Sequence, residues 1–258
     1  MLSAVTVSLD EPKPTVFRTP LGEFKVLKTI GEGSYGKVKL VTNLVNNEKV
    51  DSMVREAAGR KRRVTLKIRI QREANLAKLL DHPNLVKLRD FRTSTSHFYL
   101  FFDYVQGVQL AECIPSHGMS ESRATKYLAQ LVDALAYCHR HSVVHRDIKI
   151  ENIMVDSHDR IKLIDFGLAN FYDPSSHLNT SCGTIPYTAP EILRGDKYIG
   201  PEIDIWSLGV VLFTMLTGSL PFGDPRIHNN YWTIMNSQVN YPPTMSKLAH
   251  DCITKCLI

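Results

Sequence analysis

The stretch His145-Arg146-Asp147-Ile148-Lys149-Ile150-Glu151-Asn152 places a carboxylate, a cation two residues on and an amide five residues on within one short run. A carboxylate can take a hydroxyl proton, an ammonium can neutralise a developing oxyanion, and an amide oxygen can ligate a hard cation. Eighteen residues after Asp147, Asp165-Phe166-Gly167 adds a second carboxylate that can hold a divalent cation. Near the start, Gly31-Glu32-Gly33-Ser34-Tyr35-Gly36-Lys37-Val38 is rich in glycine. Glycines let backbone N–H groups approach phosphate oxygens without interference from a Cβ. Residues of these types, in this order, point to phosphoryl chemistry.

The elements that must position them follow from periodicity. FKVLKTI and KVKLVTN flank the glycine run and form a hairpin around it. The dinucleotide fingerprint joins a strand to a helix, so the hairpin context favours a nucleoside triphosphate. Leu76–Leu80 has helical spacing that stops at His82-Pro83. Short strands are expected at Leu85–Phe91 and Phe98–Phe102, and Gly107 marks a break. Ser122–Arg140 sets Ala124, Leu128, Leu131, Leu135 and Cys138 near one helical face. Short strands around Val143 and Ile153 bracket the charged stretch, residues 170–200 read as a long loop of the functional kind, and Asp204–Leu216 is apolar nearly all round, as a fully buried helix is. A strand-rich first hundred residues and a helical remainder suggest two lobes meeting near Asp103–Gly107, with a ligand cleft between them.

Composition sets the class. Of 258 residues, 43% are hydrophobic and 22% charged, which excludes a disordered chain, a collagen-like repeat and a small disulfide scaffold. The net charge of +5 is uneven: residues 55–72 hold eight basic and one acidic residue, a net of +7, so the rest sums to −2. A neutral globule with one basic segment is not a nucleic-acid binder. The segment suits a solvated face or, alternatively, an anionic membrane or acidic-partner contact. Five scattered cysteines without a CxxC pair suit a reducing compartment and argue against a disulfide framework or structural zinc. The start makes a poor signal peptide, and Ile205–Leu216 is too short to span a bilayer. The expectation is a soluble intracellular chain. Pro12, Pro14 and Pro20 mark residues 1–21 as a mobile arm.

With Ala189-Pro190-Glu191 and Asp204-Ile205-Trp206-Ser207-Leu208-Gly209 in order behind the first motifs, residues 22–258 resemble a eukaryotic Ser/Thr protein kinase. The finer resemblance is to the calcium/calmodulin-type group, to its microtubule-affinity-regulating and AMP-activated relatives, and most closely to the fungal Kin-type polarity and exocytosis kinases. It is carried by Arg72-Glu73-Ala74-Asn75-Leu76, His82-Pro83-Asn84, His97-Phe98-Tyr99, Asp103-Tyr104-Val105-Gln106-Gly107 and Lys149–Met154. The resemblance implies an α+β bilobal fold: a small antiparallel-sheet N-lobe with one main helix (about 22–104) and a larger, mostly helical C-lobe (about 107–258). It implies ATP and Mg²⁺, with Asp147 as catalytic base, Lys149 on the transferring phosphoryl group, and Asn152 and Asp165 as metal ligands. Ile30, Val38 and Met154 would sandwich adenine, Asp103 and Val105 would offer hinge backbone groups, and Phe102 would be a bulky gatekeeper. An upstream kinase would phosphorylate Thr180, whose phosphate would pair with Arg146, and Thr184 would touch Asp147. Asp204 would anchor the catalytic loop. Glu151, with Gln109 standing where basophilic relatives often carry a glutamate, implies only a mild preference for basic residues before the phosphoacceptor. Protein substrates with Ser or Thr acceptors follow, as does a cytoplasmic location extending to the inner face of the cell membrane.

Two departures stand out. The family carries V-A-I-K on the third strand, with its lysine about 17 residues after the last loop glycine. Counting from Gly36, or back from the partner glutamate Glu73, lands on Met53. The rival is Val64-Thr65-Leu66-Lys67-Ile68-Arg69-Ile70, which alternates like a strand and offers Lys67 as the phosphate anchor. With Met53 in place, Glu73 would lack its ion-pair partner. The second departure is the end at Ile258, before the arginine that the family pairs with Glu191, which suggests a weakened C-lobe.

Overall fold

The computed structural model describes residues 16–19, 22–33, 36–56, 60–93, 97–223 and 230–258. The chain divides into two compact units, Met1–Ala58 with Arg89–Tyr104, and Gly59–Leu88 with Val105–Ile258.

The first unit is a six-stranded antiparallel sheet. Its strands are β1 (Val16–Thr19), β2 (Gly22–Gly33), β3 (Gly36–Asn43) and β4 (Lys49–Glu56), and, after the second unit's helix α1 (Arg60–Leu79), β5 (Leu88–Thr93) and β6 (His97–Asp103). The order across the sheet is β1-β2-β3-β4-β6-β5. The β2–β3 hairpin carries the glycine run, with Gly31 opposite Val38 and Gly33 opposite Gly36. Phe24, Val41, Val50 and Phe101 form a small core of their own, with the Phe24 and Phe101 rings 5.4 Å apart. The expected arm is in part a strand: residues 16–19 pair with β2, while 1–15, 20 and 21 lie outside the described residues.

Strand β4 and helix α1 place the two candidate positions. Met53 lies opposite Val38 of β3 and Leu100 of β6, inside an unbroken ladder. Lys67 is not on a strand. It sits on helix α1, which runs without a break from Arg60 to Leu79, and it is solvent-exposed. The expectation that Lys67 lies on a third strand is therefore corrected. The alternation of Leu66, Ile68 and Ile70 gives way to helical spacing. Ile70, Ala74 and Ala77 are buried at positions i, i+4 and i+7, while Ile68 is exposed. Helix α1, expected with the sheet, groups with the second unit.

The second unit continues with β7 (Gly107–Gln109), α2 (Leu110–Cys113), α3 (Glu121–Arg140), β8 (Val143–Val144), β9 (Ile153–Asp156), β10 (Ile161–Leu163), β11 (Asn170–Phe171), α4 (Pro190–Arg194), α5 (Pro201–Thr217), α6 (Asn230–Met235) and α7 (Lys247–Cys256). The strand expected at Leu85–Phe91 begins later, at Leu88, and Leu85 instead bridges Leu163. Helix α3 is capped by the Ser120 hydroxyl, which accepts from the Arg123 amide. Its buried residues Ala124, Tyr127, Leu131, Ala134, Leu135 and Cys138 form one stripe. Helix α5 is buried on nearly every side, including the carboxylate of Asp204. Gly209 of α5 leaves room for Cys256 and Leu257 at the end of α7: a Cβ there would lie 2.6 Å from that of Cys256. Short ladders β7-β9-β10 and β8-β11 hold the catalytic stretch between them. No helix among the described residues is long and apolar enough to cross a membrane.

Candidate active site

The catalytic stretch leaves β8 and is gripped at once by α5. Asp204, fully buried, accepts from the amide N–H of His145 at 2.9 Å and of Arg146 at 2.8 Å. His139 Nε2, from the end of α3, lies 2.9 Å from the same carboxylate. Arg146 has φ of 66°, a left-handed conformation that costs a non-glycine residue about 1 kcal/mol or more. The charge-assisted bonds to Asp204 hold it there.

The loop is then tied to the segment that follows β10. His145 Nε2 lies 3.2 Å from the Ile164 carbonyl, and the His145 ring meets Phe166 edge-on at 4.9 Å. Arg146 Nε donates to the Leu168 carbonyl at 2.7 Å. Asp165, also left-handed at φ 62°, accepts from the Gly167 amide at 3.0 Å.

Asp147 sits at the centre. Lys149 Nζ donates to its Oδ2 at 2.7 Å, Asn152 Nδ2 donates to the same oxygen at 3.0 Å, and Thr184 Oγ1 donates to its Oδ1 at 2.7 Å. Lys149 also donates to Thr184 at 2.8 Å, closing a triangle. A carboxylate offers roughly four lone-pair sites. Three are taken, and the one left, on Oδ1, is free to accept an incoming hydroxyl. Asn152 gives a further N–H to the Asp147 carbonyl at 2.9 Å, so its own carbonyl oxygen remains as a ligand.

That oxygen and the Asp165 carboxylate are hard donors suited to Mg²⁺, which takes few protein ligands and completes its shell with phosphates and water. The described residues contain no group of three or more His, Cys, Asp or Glu side chains placed to hold a metal. The donor set therefore fits an ion shared with a nucleotide rather than one caged by protein.

The remaining residues singled out from the sequence divide between the units. Ile30, Gly31, Glu32 and Gly33 lie in β2, and Gly36, Lys37 and Val38 in β3. Ser34 and Tyr35 lie outside the described residues. Asp103 ends β6, its carboxylate paired with Arg89, which also reaches Glu48 at 3.3 Å. In the second unit, Val105 is half-buried and Met154 lies in β9 opposite Lys162. Glu73 is buried and is not without a partner. Glu191 is half-buried, and burial pushes its carboxyl above the ordinary range.

Sequence reasoning missed two contributors. His139 carries no local signal, because its partner Asp204 is 65 positions away. Tyr198, an isolated tyrosine in a polar stretch, accepts from Arg146 and donates to the Thr180 carbonyl.

Comparison with known proteins shows the family. The protein kinase domain model matches residues 24–258. A "Probable serine/threonine-protein kinase KIN1 homolog" of Enterocytozoon bieneusi is 45% identical over 92% of this chain and 40% of its own length. "Protein kinase kin1" of Schizosaccharomyces pombe is 39% identical over 97% of this chain and 30% of its own. A "Carbon catabolite-derepressing protein kinase" of Candida glabrata is 38% identical over 92% of this chain and 39% of its own. The chain thus spans less than half the length of these relatives.

Proposed function

The chain belongs to the protein kinase domain family, and from that premise we propose that it transfers the γ-phosphoryl group of ATP to Ser and Thr hydroxyls of proteins. The observation that carries this reading is the triangle of Asp147, Lys149 and Thr184, with one acceptor position left on Asp147. Asp147 would orient the acceptor hydroxyl and take its proton. Lys149 stands beside that oxygen, where charge on the transferring group needs a cation. Bound Mg²⁺ would supply neutralisation of the phosphate charge, and Asn152 and Asp165 would hold it. The test is transfer from Mg-ATP to a generic Ser/Thr substrate, with Asp147→Asn as the paired control. Transfer equal in the two proteins would overturn the proposal.

A second reading is favoured by the position of Met53 in the β4 ladder: a weakened enzyme, or a kinase fold that serves as a binding module. A charge-assisted hydrogen bond contributes about 1.5–3 kcal/mol, roughly one to two decades in rate. Complete absence of transfer, alongside intact folding, would move the assignment to the module.

The likeness to Kin-type kinases supports a role in polarity or exocytosis signalling at the inner face of the cell membrane. The first turn of α1 adds support, since Arg60, Lys61, Arg62 and Arg63 stand at the positive end of the helix dipole with no acidic residue among them. Sedimentation with phosphatidylserine vesicles tests this. Binding that is unaffected by neutralising those four residues would exclude the segment as the contact.

A further inference from the structure

The segment between Asp165 and Glu191 is held by a tyrosine outside it. Leu178 and Tyr198 form an isolated antiparallel bridge: Leu178 N–H donates to the Tyr198 carbonyl at 2.7 Å, and Tyr198 N–H returns to the Leu178 carbonyl at 3.0 Å. Two residues further on, the Tyr198 hydroxyl donates to the Thr180 carbonyl at 2.9 Å while accepting from Arg146 at 3.0 Å. Tyr198 is 3% exposed and Arg146 6%. The Cys182 thiol also lies against this hydroxyl.

Arg146 is thus a nearly buried guanidinium whose bonds go to neutral oxygens, the Leu168 carbonyl and the Tyr198 phenol. Among the described residues no carboxylate pairs with it. A second arginine, Arg72 of α1, is close enough to feel its charge. A buried cation without a counterion is costly, and the phenol oxygen is what faces it in the unmodified chain.

We propose that Tyr198 is a positioning residue that latches residues 178–182 in place before any phosphate is attached to Thr180. Its hydroxyl acts as a neutral substitute for that phosphate on Arg146. The proposal rests on the kinase reading for its effect on rate and for the phosphate on Thr180. The latch itself is a property of the unmodified chain. Its consequence is that Thr180 phosphorylation strengthens an arrangement already formed instead of creating it.

The test uses Tyr198→Phe, which keeps the buried ring and removes one oxygen. In the unphosphorylated protein, amide hydrogen exchange across 178–182 should speed up about tenfold or more, as expected for losing two hydrogen bonds, one of them to a charged group. Exchange in α3 and α5 should stay as in wild type. Phosphorylation of Thr180 by an upstream kinase should reverse most of the increase. Unchanged exchange in the variant, or an increase that phosphate leaves untouched, overturns the latch. If the variant does not fold, wild type alone still decides. Phosphorylation should slow exchange across 178–182 by less than about tenfold, whereas a hundredfold slowing means the segment was unlatched beforehand. For rate, Tyr198→Phe in a Thr180→Ala background should lose about tenfold more transfer than Thr180→Ala alone, and equal rates count against the latch. Absence of transfer in every protein, with the exchange results as expected, sinks the kinase reading and leaves the latch standing.

Discussion

The Asp204 carboxylate accepts the backbone amide of Arg146 at 2.8 Å across 58 positions of sequence. Through that bond, and its companion to His145, a helix buried in the second unit's core sets the dihedral angles of the catalytic loop. Catalytic geometry is therefore coupled to core packing.

Asp204→Asn should be damaging on both counts. An amide places an N–H₂ against one of the two backbone donors, or against His139, and leaves a buried donor unpaired. Loss of charge-assisted bonds of about 1.5–3 kcal/mol predicts a fall in transfer of roughly tenfold to a hundredfold. The unfolding midpoint should fall by several degrees, at roughly 2–4 °C per kcal/mol for a chain of this size. Paired kinetics and thermal melts check both. A variant with wild-type rate and midpoint would show that the carboxylate is dispensable.

Met53→Lys should raise activity. Restoring a cation at that position of β4 should increase kcat/KM for ATP by about tenfold or more, the inverse of losing one charge-assisted bond. Steady-state kinetics at varied ATP is the measurement. No gain would mean that phosphate anchoring here comes from elsewhere in the chain.

Asp159 gives a pH-dependent prediction. Hydrogen bonds from Lys126 and Tyr127, then the charge of Lys126 and a bond from Arg123, pull its carboxyl down to about 2. A depressed folded-state value means stability that is fully present above the ordinary carboxylate range and is lost as pH falls from about 4 towards 2. The carboxylate is partly exposed, which limits the effect. Asp159→Asn should lower the midpoint at pH 7 by about 1–3 °C. The gap should narrow in acid, and a gap that is constant down to pH 2 would contradict the assignment.

Glu191 has the opposite sign. Burial raises its folded-state value above 4.5. The folded state therefore holds its proton more tightly, and stability falls as pH rises from 4.5 through the raised value. Glu191→Gln should raise the midpoint at neutral pH, and the advantage should vanish near pH 4. Equal midpoints at pH 7 would show that the carboxylate carries no such penalty.

Much of the site was legible because its chemistry is local. Asp147, Lys149 and Asn152 lie within six residues, and backbone geometry alone brings their side chains together. Thr184 and Asp204 were legible only through the family resemblance, since nothing nearby reveals their partners. Tyr198 and His139 were not legible at all, because each acts through tertiary contacts to backbone or to a residue far along the chain. Helix α1 shows how a pattern misleads. Val64, Thr65, Ile68 and Ile70 are β-branched and partly alternate, yet the arginines, lysines, alanines and leucines around them favour a helix. Burial of Ile70, Ala74 and Ala77 on one stripe outweighs the local alternation.

Met53 also governs how the protein would look to chemical profiling. Electrophilic nucleotide probes that acylate an amine need a lysine, and Met53 stands in β4 where the resemblance implies that lysine. A survey that scores kinases by acylation of this strand would pass over the chain even with nucleotide bound. Nucleotide occupancy that this strand does not report would have to be read elsewhere, at the Lys149 amine or from a ligand-dependent shift of the unfolding midpoint.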